Sequence, residues 1–307
     1  MGRYLTRRLL QGVVAVVIVV SIVFLVLNLS GDPVRLMLPP TASEQAVEDM
    51  RARLGLDDPL PVRYARFMQR TAVLDFGDSI QTRRPAIGMV FERLSATVQL
   101  SLAALGLAAL IGIPLGMLAA FRRGSWIDTG AVFLSMLGQS TPVFWIALLL
   151  ILLFGVVFPV LPPSGFGTLS HLLLPSVSIA LFLVAGVTRV TRTSTIDVLS
   201  RPFVTVARSR GISERLLLSK HVLRNASIPI VTELGLQMRF VIGGSVVVES
   251  IFGWPGIGQL LTRAAFGRDY PVVIASVFVI AVFIIIFNLL LDLFYSVIDP
   301  RIRVWAE

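Results

Sequence analysis

The 307-residue sequence has no cysteine, one lysine and two histidines. Without cysteine there is no disulfide, no thiolate metal ligand and no thiol nucleophile. The single lysine, Lys220, is followed by His221, so no Gly-Lys-Ser/Thr phosphate loop can be read anywhere in the chain. His171 and His221 are fifty residues apart, and no serine-histidine-acid or paired-carboxylate arrangement stands out. A catalytic centre, a metal site and a resident nucleotide are therefore not expected. Charge is scarce too. Acidic and basic residues make up 15% of the chain, against the roughly 25% usual for soluble domains.

What fills the space is apolar. Hydrophobic residues reach 55% and the mean hydropathy is +0.85. Six runs approach or exceed the ~18–20 residues needed to cross a bilayer core. They are Leu9 to Leu29, Leu94 to Phe121, Ile127 to Val157, Leu169 to Val187, Ala226 to Val248 and Val272 to Leu291. The third is longer than a span requires and is broken at Pro142. The first follows Arg3, Arg7 and Arg8, is too long for a secretory leader and lacks a small-residue cleavage site, so it reads as a membrane helix. The expected fold is all-α, a polytopic membrane protein with six transmembrane helices and both termini on one side.

The net charge of +9 could suggest nucleic acid, but the distribution points to a membrane. Fifteen of the twenty-seven basic residues fall in the N-terminus, at Arg122-Arg123, in Arg189 to Asn225 or after Asp299. The loops expected opposite, Phe158 to Ser170 and Ile251 to Pro271, hold only Arg263 and Arg268. The positive-inside rule therefore puts the first set in the cytoplasm. Residues 1–29 form the N-terminus and first span, 30–93 an extracytoplasmic region and 94–299 a five-helix core. The core includes a cytoplasmic loop at 189–225, and 300–307 form a cytoplasmic tail. Ser30 to Arg93 has nine acidic and nine basic residues and few large apolar ones. It is expected to carry helices at Ser43 to Leu54, closed by Gly55, and around Tyr64 to Thr71, and to lie against the membrane or a partner.

The cytoplasmic loop organises the rest. Ser200 before Arg201-Pro202 reads as a helix start, and Phe203, Val206 and Ala207 fall at i, i+3, i+4 on one apolar stripe. Gly211 suits the left-handed position that closes such a helix. Ser213 is a good cap for the next, with Glu214 where the helix dipole favours an anion. Arg208, Arg210, Arg215, Lys220 and Arg224 make the loop basic, which also fits a juxtamembrane segment touching anionic lipid.

Within the spans, ionisable groups are the best pointer to a transport route. The fifth carries Glu233, Gln237 and Arg239. Glu233 and Gln237, four apart, share a helix face, whereas Arg239 is turned onto another. Arg239 is expected near the midplane, there to meet either an anionic part of a cargo or an acid on another subunit. Asp292 and Asp299 are expected to cap or to pair with Arg301 or Arg303. Recurrent glycines, Gly106, Gly112, Gly116, Gly138, Gly243 and Gly244, should allow close helix approach.

The loop resembles that through which permease subunits of bacterial ABC importers dock onto their ATPases. The family signature, Glu-Ala-Ala, three residues, Gly, is matched here at Thr205, Val206, Ala207 and Gly211. Thr205 replaces the glutamate, and Pro229 stands where the dipeptide, oligopeptide and nickel branch has its proline. Val246 to Val272, with Trp254, Pro255 and Gly256, is similar to the outer segment of peptide-type permeases. So are Asn288 to Arg303 and Leu29-Ser30-Gly31-Asp32-Pro33 to other parts of them. The resemblance implies a non-catalytic, inner-membrane permease subunit of type I architecture. It further implies a second homologous permease, two ATPases that use ATP and Mg, and an extracytoplasmic binding protein. No cofactor or nucleic acid on this chain is implied. ATPase coupling would fall to Phe203, Val206, Ala207, Arg208, Gly211, Ser213 and Glu214. The cargo could be a dipeptide, oligopeptide, nickel, glutathione or a glycoside. A secondary transporter would be expected to show internal repeats or midplane coupling carboxylates, and a membrane-anchored sensor a long soluble output domain.

Overall fold

A computed structural model of the chain describes residues 2–29, 43–53 and 57–298. Among these the secondary structure is helical apart from turns and one isolated bridge, Asp78 to Pro85. Gly55, residues 30–33, Asp299 and residues 300–307 lie outside the described residues, as do the side chains of Arg215 and Asp292.

The helices are α1 (Gly2–Leu29), α2 (Glu44–Arg53), α3 (Leu60–Ala72), α4 (Ala86–Phe121), α5 (Trp126–Ser140) and α6 (Val143–Leu150). The last runs on as a π-helical stretch, Ile151–Val157. Then come α7 (Leu169–Leu199), α8 (Pro202–Ser209) and α9 (Glu214–Leu216), with a π-helical stretch at Leu217–Val222. The final three are α10 (Leu223–Phe252), α11 (Ile257–Phe266) and α12 (Tyr270–Ile298). Among the described residues three helices are long and apolar enough to cross a membrane, within Ala86–Phe121, Leu169–Leu199 and Tyr270–Leu291. Taking each of two bent pairs as one span adds two more, and a shorter apolar stretch, Leu10–Val26, lies in α1.

The expected third span is not a straight rod. At Thr141-Pro142 the chain turns so that Trp126–Ser140 and Val143–Val157 meet at 99°. Proline has no N–H to give the preceding turn, and Pro142 instead caps α6 with extended backbone. The expected fourth span ends too early. Helix α7 continues past Val187 through Arg189 and Arg192 to Leu199, because a charged residue alone does not stop a helix. Arg201-Pro202 does, since the residue before a proline is pushed out of the helical region.

The chain divides into two compact units. The first comprises Met1–Ser95 and Gly256–Leu289, the second Ala96–Pro255 and Leu290–Glu307. In the first, Phe24 of α1 packs edge-on to Tyr64 and stacked on Phe67 of α3, and Ser21 Oγ and Tyr64 Oη are 2.6 Å apart. The helix end after α3 is fastened by Arg70, whose guanidinium donates to Asp75 (2.9 Å). That bond, with the Gly77 N–H, holds the Asp75 carboxyl below its usual value. Part of the 30–93 region has a core to join within the chain itself. Its latter part enters a core in which Phe76, Ala86 and Val90 pack with Ile257 and Leu260 of α11 and Val272 and Ala275 of α12.

In the second unit, α7 is central and packs against α5, α6 and α10. Small residues set the spacing. A Cβ on Gly116 of α4 would lie 2.6 Å from the Thr188 carbonyl of α7, and one on Gly138 of α5 2.7 Å from the Leu181 carbonyl. Both are backbone contacts, so these helices approach as closely as glycine permits. Asp128, near the start of α5, accepts from Arg192 Nε (2.5 Å) and Nη2 (2.8 Å) and from the Gly124 N–H (3.0 Å). This ion pair ties α5 to α7.

Candidate functional site

The segment from Arg201 to Val222 forms an elbow. Arg201, with extended backbone, takes the N-cap position of α8, and Pro202 opens the helix. Ser200 is not the helix start. It closes α7, and its hydroxyl donates to the Asp197 carbonyl (2.7 Å). Helix α8 is apolar on two sides. Val204 and Ala207 are 0% and 9% exposed and pack with Val198, Leu217, Val222, Ala226 and Ile230. Phe203 and Val206 are 37% and 50% exposed. The single stripe of Phe203, Val206 and Ala207 expected from spacing is therefore split. Ala207 turns inward with Val204, which sequence reasoning passed over, while Phe203 and Val206 form the outward face.

Gly211 has φ +74°, and a Cβ there would meet nothing within 4 Å. Its requirement is conformational, a left-handed turn that costs other L-residues about 1 kcal/mol or more. Ser213 has the backbone of an N-cap, but its hydroxyl makes no capping bond. Its carbonyl accepts from the Leu217 N–H instead (2.9 Å). Glu214 is engaged by Arg208, which donates through Nε (2.9 Å) and Nη2 (3.4 Å). Both partners are well exposed, so the pair fixes the shape of the elbow more than it stabilises the fold.

The polar residues of α10 divide as their spacing suggests. Gln237 Nε2 donates to Glu233 Oε1 (2.6 Å). A side chain at Gly186 of α7 would collide with both, so this pair is seated in the packing between α7 and α10. Arg239 is exposed, on a strip with Leu236, Phe240, Gly243 and Val247. Among the described residues no carboxylate pairs with it. Beside it, Phe240 stacks on Phe182 at 4.6 Å. An apolar cavity of about 430 Å³ lies where α5 and α6 break, lined by residues such as Leu134, Gly138, Trp145 and Leu181. It has too few polar groups to orient a peptide.

The 253–256 segment is an internal joint. Gly253 ends α10 in the left-handed conformation (φ +64°). Trp254 is 2% exposed, and its indole N–H donates to the Ala96 carbonyl of α4 (2.8 Å). The ring of Phe166 meets it edge-on at 4.7 Å, and the Gly165 N–H donates to the Phe252 carbonyl (2.9 Å). The indole therefore does not face solvent, and any outward contact of this segment must come through its neighbours. Gly256 is also buried, as the N-cap residue of α11, while Pro255 is half-buried.

Next to Trp254 lies a residue that sequence reasoning missed. Glu249 is 0% exposed, its carboxylate accepting from Thr97 Oγ1 of α4 (2.9 Å) and Ser245 Oγ (3.2 Å). The signal was available, because a carboxylate within Val-Val-Val-Glu-Ser-Ile-Phe must find donors. It was hidden by ending the fifth span at Val248, whereas α10 runs to Phe252. No group of three or more potential metal ligands occurs among the described residues.

Two family descriptions match the chain. Residues 112–304 match the binding-protein-dependent transport system inner membrane component, and residues 1–105 match the N-terminal part of such membrane components. The chain is similar to the glutathione transport system permease protein GsiC of Salmonella paratyphi A, with 39% identity over 304 residues covering 99% of each chain. It is 36% identical over 312 residues to a probable peptide ABC transporter permease protein, y4tP, of Sinorhizobium fredii, covering 99% of this chain and 100% of that one. Among solved structures, the MetNI methionine ABC transporter in an inward-facing conformation superposes with a TM-score of 0.56 at 16% identity. The match covers 69% of this chain and 96% of that one.

Proposed function

The chain belongs to the family of binding-protein-dependent transport system inner membrane components, and from that premise we propose how its parts serve an importer. It is a permease subunit of an ATP-driven importer and has the fold of that architecture. Six spans, with α1 as the first, place both termini and the elbow in the cytoplasm, in keeping with the distribution of basic residues. A second permease, two ATPases that bind ATP and Mg, and an extracytoplasmic binding protein complete the assembly. The cargo is a short peptide or a peptide-like solute such as glutathione. This rests on the similarity to permeases named for those solutes.

One observation carries the coupling reading. A short helix, α8, holds Val204 and Ala207 in the interior and leaves the apolar side chains of Phe203 and Val206 outside. Exposed apolar residues on a rigid element beside a polar rim are what a partner surface needs. Arg208, Gly211, Ser213 and Glu214 hold the elbow in shape behind them. ATP-driven movement of the ATPases would be transmitted through α8 to α7 and α10, which diverge from the elbow core.

The test uses the assembled importer. Phe203→Asp with Val206→Asp should lower cargo-stimulated ATP hydrolysis about 30-fold, as expected when a contact worth ~2 kcal/mol is lost. Folding of the permease should be unchanged, because both side chains are exposed. Full stimulated hydrolysis in that variant would overturn the assignment of this face.

Arg239 has a place in the same proposal. It is exposed on α10 and has no acidic partner among the described residues. A guanidinium stays charged, so at this depth it must meet water, an acid of the second permease or an anionic group of the cargo. If cargo is the partner, Arg239→Gln should reduce uptake while assembly and basal hydrolysis persist. Failure to assemble, relieved by neutralising an acid in the second permease, would make it an interface ion pair.

A further inference from the structure

We propose that the first unit contains a binding cavity for a small monoanionic carboxylate, walled by Arg93, Arg263, Gln81, Gln259 and Asp269. The cavity is about 220 Å³, formed by the start of α4, the 79–84 turn and helix α11 with the turn that follows it. Ligand sites for drug-sized molecules are usually about 300–1,000 Å³. This one therefore admits a single compact group and not a whole oligopeptide.

Its charges are unbalanced. Arg93, Arg263 and Asp269 are the charged residues that line it. Among the described residues neither guanidinium has a carboxylate partner. Asp269 cannot serve them, because its carboxylate is already committed. Oδ2 accepts from Ser79 Oγ (2.5 Å) and Oδ1 from the Ile80 N–H (3.0 Å), and the residue is buried. The wall thus has two free cations against one internally satisfied anion, a surplus of one positive charge. That surplus matches a carboxylate and is less suited to a dianionic phosphate. Guanidinium forks pair well with carboxylate oxygens, often through two parallel hydrogen bonds.

The walls are held in place by contacts that do not involve the side chains of Arg93 and Arg263. Ser79 N–H donates to the Arg84 carbonyl (2.8 Å), and Arg83 N–H to the Ser79 carbonyl (3.0 Å). Gln81 Nε2 donates to the Gly267 carbonyl (3.0 Å), joining the two turns. Arg83 and Arg268 both adopt left-handed backbone (φ +57° and +55°), a conformation a non-glycine residue keeps only when its surroundings impose it. The Asp269 bridge and the Gln81 bond supply that constraint, so the two turns that frame the cavity are fixed. The cavity contains none of the proposed coupling residues.

The probe is N-acetylglycine, which carries one carboxylate, compared with N-acetylglycinamide, which has the same shape without the charge. Saturation-transfer NMR on the full chain in nanodiscs should show transfer to the acid and little to the amide. Arg93→Gln and Arg263→Gln should each weaken binding about tenfold, and the double variant should abolish it. Arg263→Lys should retain part of the binding, since charge survives without the fork. Equal transfer to acid and amide, or an undiminished signal in the double variant, would overturn the site. Displacement of the probe by inorganic phosphate at lower concentration than by acetate would overturn the carboxylate assignment. Assembly of the double variant with its ATPases is a separate readout and should be normal, so loss of binding there cannot be mistaken for a failed importer.

Discussion

Replacing Trp254 by alanine is expected to destabilise the chain by about 3–5 kcal/mol, the range for removing a large buried aromatic. The indole is 2% exposed within the core that includes Ala96, Leu183, Val248 and Phe252, and it packs edge-on to Phe166. Trp254→Phe separates packing from hydrogen bonding. It keeps much of the ring but loses the N–H bond to the Ala96 carbonyl, a loss of about 1 kcal/mol beyond the smaller volume. Denaturant midpoints of the purified chain should fall in the order wild type, phenylalanine, alanine. An alanine variant within 1 kcal/mol of wild type would show that the indole is not a fastening. Glu249 reinforces the same joint, gripping Thr97 one residue from the Trp254 contact. The end of α10 is thereby fixed to α4 by two independent side chains. In an importer whose helices tilt during the cycle, this end of α10 and the neighbouring part of α4 should move together.

Much of this arrangement could be read from the sequence, and the failures have physical causes. The long Leu-, Val- and Ile-rich runs announced the membrane helices, because about 20 consecutive apolar residues suit a helix that pairs its own backbone in lipid, whereas a barrel strand needs only about 10. Glu233 and Gln237 were correctly placed on one face, since a four-residue separation fixes that locally. The stripe on α8 was misread for a related reason. With apolar residues at 203, 204, 206 and 207, two faces are available. Only Leu217, Val222 and Ala226, folding back over Val204 and Ala207, decide which one is buried. The 30–93 region looked unable to form a core because its own apolar residues are few. Phe76, Ala86 and Val90 find theirs on α11 and α12, well over 150 residues further along. Asp128 and Arg192 were invisible as a pair for the same reason, being 64 residues apart. The cavity beside Asp269 likewise depends on turns 190 residues apart meeting, which no local pattern encodes.

Arg192→Ala should be among the most damaging single substitutions in the second unit. Asp128 is buried and receives two hydrogen bonds from Arg192 and one from the Gly124 N–H. Removing the guanidinium leaves a mostly buried carboxylate with a single backbone donor, a loss of about 2–3 kcal/mol for a part-buried charged pair. Asp128→Asn keeps shape and one acceptor, and should cost less than Arg192→Ala. Asp128→Asn combined with Arg192→Gln removes both charges, so its cost should fall short of the summed single changes by about 2 kcal/mol. The pair also matters for movement. Arg192 stands on α7 close to where that helix meets the elbow, and Asp128 stands near the start of α5, so under the proposed coupling the bond would make the two helices respond together to a push on α8. Arg192→Lys is the informative intermediate, because it keeps the charge but cannot span both carboxylate oxygens. An importer assembled with that variant should keep the basal hydrolysis of its proposed ATPase subunits while cargo-stimulated hydrolysis drops. Additive costs in the mutant cycle would show that the two residues act separately. Unchanged cargo stimulation in Arg192→Lys would confine the bond to holding the fold.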